Sequence, residues 1–557
     1  MKNQPAAFYL KTLCLLLLFA LSNAFVQAQT LEAQIDQIMS EAYKPDQPGA
    51  VVRVQKDGKV LFEKAYGMAN MELDVKMQPN HILRLGSITK QFTAVAMLIL
   101  VQQGKVSLDD DLTKYLPDYP TGGRKITVAQ LLNHTSGIKS YTSMDDFSKI
   151  WRTDMTVTEL VDHFKNEPFD FEPGEKWEYN NSAYILTGAI IEKASGMSYA
   201  EFLQKNIFEP LGMTDTYYDV TSKIIPRRVT GYAGGEGNVQ NAPYLSMTLP
   251  YAAGSLMSTV ADMGKWDEAL YTEKLIKKPL LEKAWTATKL NNGKPTHYGF
   301  GWGFTDYEGH RLIYHSGGIH GFVTDGIRVP DQHLYVICLS NGNAADPGEL
   351  TYKIMTTVLG KPVTKPNAIE LPESELKAYV GNYEFETDKF RMVTLEGKQL
   401  FSQKTGSTKF LIHPYAKDKF FFDDSDTRLQ FERNKKGNVT GVGTVVATPF
   451  GTDEFGTRSD KPMPEPKKET KLDAAIFDRY VGSYELMPGF ALTFRRKDAQ
   501  FFTQATGQPE FELFAESETK FFLKVVDAQV EFLVAPDGKV NEMVLYQGGQ
   551  VMKGKRK

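Results

Sequence analysis

Leu85-Gly86-Ser87-Ile88-Thr89-Lys90-Gln91-Phe92-Thr93-Ala94-Val95-Ala96-Met97-Leu98-Ile99-Leu100-Val101 is the stretch from which the rest of the chain becomes legible. No Gly or Pro interrupts it between Ser87 and Gly104, and most positions are apolar, so it predicts a buried helix with Ser87 at its N-terminal end. Residues three apart on a helix share a face, which sets Lys90 against the Ser87 hydroxyl. A serine hydroxyl is a poor nucleophile at neutral pH until a base takes its proton, and a helix N-terminus beside a lysine charge favours the alkoxide. Ser87 is therefore a candidate nucleophile and Lys90 a candidate activating group.

Ser-x-x-Lys also occurs at Ser136/Lys139, Ser374/Lys377 and Ser517/Lys520. The first copy contains Gly137, and the other two lie in a C-terminal region with no Tyr-x-Asn after them, so these read as caps or solvated surface. Tyr179-Asn180-Asn181 holds the only Tyr-x-Asn among 26 tyrosines. A Tyr179 with a depressed pKa beside a cationic lysine would relay the Ser87 proton to the leaving group, and the Asn181 amide would hold a substrate carbonyl. The competing reading packs Tyr179 under the turn Phe171-Glu172-Pro173-Gly174 and makes Asn181 a helix cap. Ile313-Tyr314-His315-Ser316-Gly317-Gly318 reads as a strand end opening into two glycines, where backbone N–H groups can approach a substrate. The N–H groups of Gly318 and Ser87 would then form an oxyanion hole, in which each donor is typically worth about 2.7–4 kcal/mol. Taken alone, a histidine such as His315 is more often structural than functional.

Together these three elements resemble the serine hydrolases of the class C β-lactamase and penicillin-recognising family, which includes D-alanyl carboxypeptidases, D-aminopeptidases and esterases. The resemblance runs roughly from Ile35 to Val358 and is strengthened by Leu131-Leu132-Asn133-His134-Thr135-Ser136-Gly137 and by Gly254-Ser255-Leu256-Met257-Ser258-Thr259 leading into Asp262. It implies a three-layer α/β hydrolase domain, an antiparallel sheet with helices, over residues 29–360. It further implies that Ser87 is acylated, that Lys90 and Tyr179 form the general-base pair, that Asn181 positions substrate, and that His315 with Gly317 and Gly318 lines the site. Where lactamases carry Lys-Thr-Gly, this chain carries His315-Ser316-Gly317. An unperturbed histidine, pKa about 6.5, is mostly neutral near pH 7, so a fixed cation for a β-lactam carboxylate is missing.

The chain has 557 residues, more than one hydrophobic core accommodates, and two or three domains are expected. Lys2, the apolar run Leu13 to Leu21 and Val26-Gln27-Ala28 match the regions of a secretory signal over residues 1–28, which predicts an exported protein, periplasmic or secreted. Cys14 lacks lipoprotein-type neighbours, and no later apolar stretch approaches the roughly 18 residues that span a membrane. Of the 64 basic and 68 acidic residues, cleavage removes Lys2 and Lys11, leaving 62 against 68, a balance with no surplus for nucleic acid. Cys338 is then the sole cysteine, within an apolar run that reads as a buried strand, so no intrachain disulfide forms. His310, His315 and His320 recur every five residues, but the glycines around them fit a substrate-facing backbone better than a metal site, and no metal or cofactor is expected.

The C-terminal third is a duplication. Tyr379-Val380-Gly381-Asn382-Tyr383-Glu384 returns as Tyr480-Val481-Gly482-Ser483-Tyr484-Glu485, an offset of 480 − 379 = 101 that continues without gaps through Phe431/Phe532 and Gly437/Gly538. Each unit, 370–458 and 472–557, opens with a short helix and continues as short aromatic and β-branched runs, an antiparallel barrel or sandwich. Both units look like lipocalin-like modules appended to the D-aminopeptidase branch of the family. Residues 459–471 form a Pro/Lys-rich linker, and the tail from Lys553 to Lys557 reads as a solvated end. The favoured function is an exported acyl-enzyme hydrolase for a D-residue-containing peptide, amide or small ester. Its alternatives are a D-alanyl-D-alanine carboxypeptidase or β-lactamase-type enzyme, and a non-catalytic penicillin-binding sensor. The modules leave room for homo-oligomers.

Overall fold

Val51 and Val52 are both fully buried, one on each face of a single sheet. A computed structural model describes residues 30–557 apart from 145, 236, 344, 363–365, 387–388, 406, 424–426, 447–454, 462–468, 488–489, 507–509, 525–527, 536 and 548–549. The leader reading of residues 1–28 and most of the Pro/Lys-rich linker lie outside these. The sheet contains β1 (Ala50–Lys56), β2 (Lys59–Tyr66), β3 (Gly303–Tyr307), β4 (His310–Ile319), β5 (Phe322–Val329) and β6 (Leu334–Ser340) in the order β3-β4-β5-β6-β1-β2, antiparallel at every pairing. Successive side chains of a strand point to opposite faces, so strands buried on both sides read as continuous apolar runs. Cys338 is one residue of such a run on β6.

The two faces are covered by different helices. Helix α1 (Leu31–Ala42) supplies Ile35 and Met39 to a core with Val52, Leu312 and Cys338, whereas α2 (Thr89–Gln102) and α3 (Asn181–Ser195) supply Phe92, Val95, Ile185 and Leu186 to the other core, with Val51, Ile313 and Leu339. The short α4 (Tyr251–Gly254) lies in that second layer, and α5 (Pro347–Val358) joins α1 through Ile354 and Met355. Every residue of α2 from Thr89 to Leu100 is buried, as its uninterrupted apolar run predicts, and Lys90 is buried with them.

The C-terminal units are two closed eight-stranded barrels, spanning Gly381–Ser459 and Gly482–Arg556 and preceded by the short helices Glu373–Tyr379 and Ala474–Asp478. Their cores correspond at the offset of 101: Tyr383, Val393, Leu400, Phe420 and Phe431 in the first answer to Tyr484, Phe494, Phe501, Phe521 and Phe532 in the second. The basic tail is not a solvated end. Gln550–Arg556 is the closing strand of the second barrel, because a sheet closed on itself leaves no unpaired edge. The Arg556 guanidinium donates to the carbonyls of Arg479, Val481 and Val540, as Arg458 does to those of Ala378, Val380 and Val439. Those arginines are 98 apart, so the gapless register ends before the last strand. Arg428 of the first barrel acts electrostatically on Tyr307 and Tyr352 of the hydrolase domain, and the Tyr307 hydroxyl donates to the carbonyl of Lys361, ahead of the barrel, at 2.8 Å.

Candidate active site

Two glycines bring Ser87 to the sheet. Gly86 has φ +54°, and a Cβ there would lie 3.0 Å from the backbone nitrogen of Gly318; a Cβ on Gly317 would lie 2.1 Å from the Leu85 carbonyl oxygen. The turn Gly86–Ile88 that leads into α2 therefore rests directly on the end of β4, and Thr324 of β5 fastens it by donating to the Leu85 carbonyl at 2.8 Å. A side chain at either glycine would push the two backbones apart. Gly318 is different, because the space around its Cβ direction is open.

Lys90 Nζ lies 3.2 Å from Ser87 Oγ, 2.8 Å from Asn181 Oδ1 and 2.9 Å from the Ala253 carbonyl. Burial holds its pKa well below the ordinary lysine value, favouring the neutral amine. A neutral amine has two N–H groups and one lone pair, so Asn181 and Ala253 can accept both hydrogens while the lone pair faces the Ser87 hydroxyl. After taking a proton the ammonium has three donors for the same three oxygens. One set of positions thus suits both protonation states.

The Tyr-x-Asn loop divides its work. Asn180, not Asn181, caps α3, its side chain accepting from the Ala183 N–H, which frees the Asn181 amide to face Lys90 and Thr142 Oγ1. The ring of Tyr179 lies 4.7 Å under the Lys90 amine. Its hydroxyl is buried without a hydrogen bond of normal geometry, and burial raises its pKa although nearby Ser87 opposes the change. The depressed pKa expected for Tyr179 is therefore not found: the lysine that would lower it is itself driven towards neutrality.

The residues around His134 hold that loop. His134 has φ +63°, its Nδ1 accepts from the Asn180 N–H at 3.1 Å, and its carbonyl accepts from the Glu178 N–H. Ser140 Oγ accepts from the Asn181 N–H at 3.2 Å, and the Ser182 hydroxyl oxygen accepts from the Tyr141 N–H. Ser136, read as a cap or solvated surface, is 1% exposed, and its Oγ accepts from the Ile138 N–H at 3.4 Å, so the surface alternative falls.

His315 is 6% exposed, with Nδ1 at 2.5 Å from the Ser316 carbonyl and Nε2 at 2.8 Å from the Tyr298 hydroxyl. A carbonyl only accepts, so Nδ1 carries the hydrogen and Nε2 accepts from Tyr298. Burial, with any positive charge on Lys90 acting in the same direction, pushes the His315 pKa down to about 3, keeping the ring neutral. Its centroid lies 6.2 Å from that of Tyr179. His310 pairs with Asp331 and His320 with the Pro243 carbonyl, so the three histidines converge on no common point. Sequence reasoning missed Tyr298, whose ring touches those of His134, Trp177, Tyr179 and His315. The signal was there in Tyr298-Gly299-Phe300-Gly301-Trp302, since Gly301, at φ +80°, packs against the Lys90 carbonyl with no room for a Cβ.

Comparison with known proteins matches residues 31–357 to the Beta-lactamase family and residues 365–458 and 466–556 to a Domain of unknown function (DUF3471). Penicillin-binding protein 4* of Bacillus subtilis (strain 168) is 29% identical over 518 residues, covering 89% of this chain and 92% of its own. Among solved structures, the octameric penicillin-binding protein homologue from Pyrococcus abyssi aligns with a TM-score of 0.54 at 27% identity, over 76% of this chain and 99% of its own. A D-stereospecific amidohydrolase from Streptomyces sp. aligns with a TM-score of 0.52 at 28% identity, over 58% and 97%.

Proposed function

Since the chain belongs to the Beta-lactamase family, we propose that it is an exported serine hydrolase that forms an acyl-enzyme at Ser87 and acts on an amide or small ester of a D-amino acid or short D-residue-containing peptide. The observation that carries the reading is the buried Lys90 amine at 3.2 Å from Ser87 Oγ, with its two remaining acceptors supplied by Asn181 and Ala253. In the acylation step the Ser87 proton passes to Lys90 Nζ as Oγ bonds to the substrate carbonyl carbon. The carbonyl π electrons move onto oxygen, where the N–H groups of Ser87 and Gly318 stabilise the charge. Collapse of this intermediate breaks the bond to the leaving nitrogen or oxygen, which takes a proton from Lys90 through the Tyr179 hydroxyl. Water then attacks the ester by the same route in reverse and releases the acid.

Tyr179 serves as a protonated relay here, in keeping with its raised pKa. The neutral His315, with both ring nitrogens engaged by Ser316 and Tyr298, offers no fixed charge to a leaving-group carboxylate, which favours an amide or ester over a β-lactam or a C-terminal D-alanine. Likeness to a D-stereospecific amidohydrolase supports the choice of D-configuration. Likeness to an octameric homologue supports self-association. Among the described residues no helix is long and apolar enough to cross a membrane.

The test is mass spectrometry of the intact protein after incubation with a fluorophosphonate probe, a penicillin, D-phenylalaninamide and its L-isomer. One adduct at Ser87, absent in Ser87→Ala, with turnover of the D-amide is expected. Adduct-free protein that also fails to turn over nitrophenyl esters would refute the reading.

A further inference from the structure

Thr93 lies one turn beyond Lys90 on α2, fully buried, and touches no candidate reacting atom. Its Oγ1 lies 2.6 Å from the Ala252 carbonyl and 2.6 Å from the Tyr199 hydroxyl. Carbonyls only accept, and of the two beside Oγ1 the Ala252 oxygen is much nearer than that of Thr89 at 3.3 Å, so Thr93 donates its one hydrogen chiefly to Ala252 and accepts from Tyr199. The next carbonyl along the chain is that of Ala253, which takes one of the two hydrogens of the Lys90 amine. Thr89 holds the same segment from its other end, its Oγ1 accepting from the Leu256 N–H at 3.1 Å.

The segment so held is not relaxed. Tyr251 has φ +38°, a left-handed conformation that is strained for a non-glycine residue and persists only where the surroundings over-determine it. Its ring and the Ala252 methyl fill the space where Gly188 of α3 lacks a side chain. Thr93, Tyr199 and Gly188 are the surroundings that hold α4 in place.

We propose that Thr93 is a positioning residue for the reaction, fixing through Ala252 the direction of the Ala253 carbonyl and so aiming the Lys90 lone pair at Ser87. This rests on the reading of Lys90 as the base that takes the Ser87 proton. The reason is geometric: an amine whose two hydrogens are bound in fixed directions has only one direction left for its lone pair. Without Thr93, the Tyr251–Gly254 segment is free to shift and relieve the strain at Tyr251, carrying the Ala253 carbonyl out of line with Nζ, which can then rotate.

Displacing the Ala253 carbonyl also changes how Lys90 titrates. A carbonyl oxygen beside Nζ stabilises the ammonium more than the amine, so its withdrawal lowers the Lys90 pKa further. The neutral base then survives to lower pH while its aim is worse. The titratable groups facing Lys90 are Tyr179 and Tyr184, whose rings lie 4.7 and 5.3 Å from Nζ, together with His134 and His315, both held neutral by burial. None of them gains or loses a contact to Thr93.

The experiment compares full-length wild type, Thr93→Val and Thr93→Ser by the pH profile of kcat/KM on a nitrophenyl ester, with melting curves for each. Thr93→Val should lose roughly ten- to a hundredfold at the plateau, part of the 10²–10⁴ that a positioned base supplies, with its acid limb displaced to lower pH. Thr93→Ser should restore both. A purely structural role would lower the plateau without moving the limb, and that result overturns the proposal, as does an unaltered Thr93→Val. If Thr93→Val does not fold, Thr93→Cys replaces it, a weak donor of similar size with the same expected direction. Lys90→Met separates the two levels: if it leaves the rate and acid limb of wild type unchanged, the base assignment falls and the proposal with it. If Lys90→Met is inactive but the Thr93 variants keep the limb in place, only the role of Thr93 falls.

Discussion

Asn181 Oδ1 accepts a hydrogen bond from Lys90 Nζ at 2.8 Å, joining residues 91 apart in the chain, while the neighbouring Asn180 caps α3. Asn181→Asp would keep the shape and add a carboxylate against the amine. An adjacent opposite charge favours the protonated lysine and raises its pKa, so the ammonium would persist at neutral pH. The expected result is a loss of roughly a hundredfold in kcat/KM at pH 7, partly recovered as the pH rises. An acid limb unchanged in position would remove Asn181 from the environment of the base.

Ser87→Ala should abolish hydrolysis, since losing the nucleophile of a serine hydrolase typically costs on the order of a million-fold in turnover. Its fold should survive, because Ser87 is only partly buried. Ser136→Ala should do the reverse, retaining probe labelling while altering the melting temperature. Labelling that follows Ser136 would invert the assignment.

Gly317→Ala and Gly318→Ala should part company. The first puts a methyl 2.1 Å from the Leu85 oxygen and must displace the turn that carries Ser87, whereas the second points into open space and keeps its N–H. Acylation rates should fall at least about a hundredfold in the first and change less than about tenfold in the second, if a displaced turn costs what a misplaced catalytic group usually does. Equal rates would mean that the turn tolerates movement.

Acid should destabilise the hydrolase domain through its buried histidines. His315 has a folded pKa of about 3 against an unfolded value of about 6.5, so its contribution to stability is complete above the unfolded value and is lost as the pH falls from there towards the folded one. The unfolded chain binds the extra proton, so stability rises with pH across that window, with a slope of at most about 1.4 kcal/mol per pH unit. His134, also depressed by burial, adds to the same slope. Denaturant melts of wild type and His315→Gln between about pH 4 and 7 test this, the range in which an ordinary histidine takes up its proton. The variant should show a shallower dependence, and parallel curves would assign the acid sensitivity elsewhere.

A chain ending near Leu359 should still be acylated at Ser87, because every group placed around Lys90 precedes residue 320 and each barrel has a core of its own. Removing the charge of Arg428 from beside Tyr307 and Tyr352 should leave the melting temperature of the hydrolase domain little changed. Comparing acylation by a small probe with hydrolysis of a larger peptide, and measuring mass by light scattering, shows whether the barrels govern access or assembly. A well-folded truncation that cannot be acylated would make them part of the site.

Local pattern carried much of this protein. An apolar run without Gly or Pro has no solvent-compatible face, so the burial of α2 could be read directly, as could the buried strand around Cys338 and the gapless repeat whose cores coincide at an offset of 101. Ser87 and Lys90 were legible for the same reason, being one helical turn apart. The sequence by itself thus determined the helix that bears the nucleophile, the duplicated barrels and the candidate set Ser87, Lys90, Tyr179, Asn181 and His315. Only the tertiary structure decided which of two adjacent asparagines faces the lysine, that Tyr298 engages His315, that Ala253 completes the shell of Lys90, and that the basic tail closes a barrel. Those contacts join residues far apart in the chain, and the protonation states depend on how much water is excluded around each group. Neither burial depth nor the direction of a carbonyl is written in residue order, because both are set by everything that packs around them.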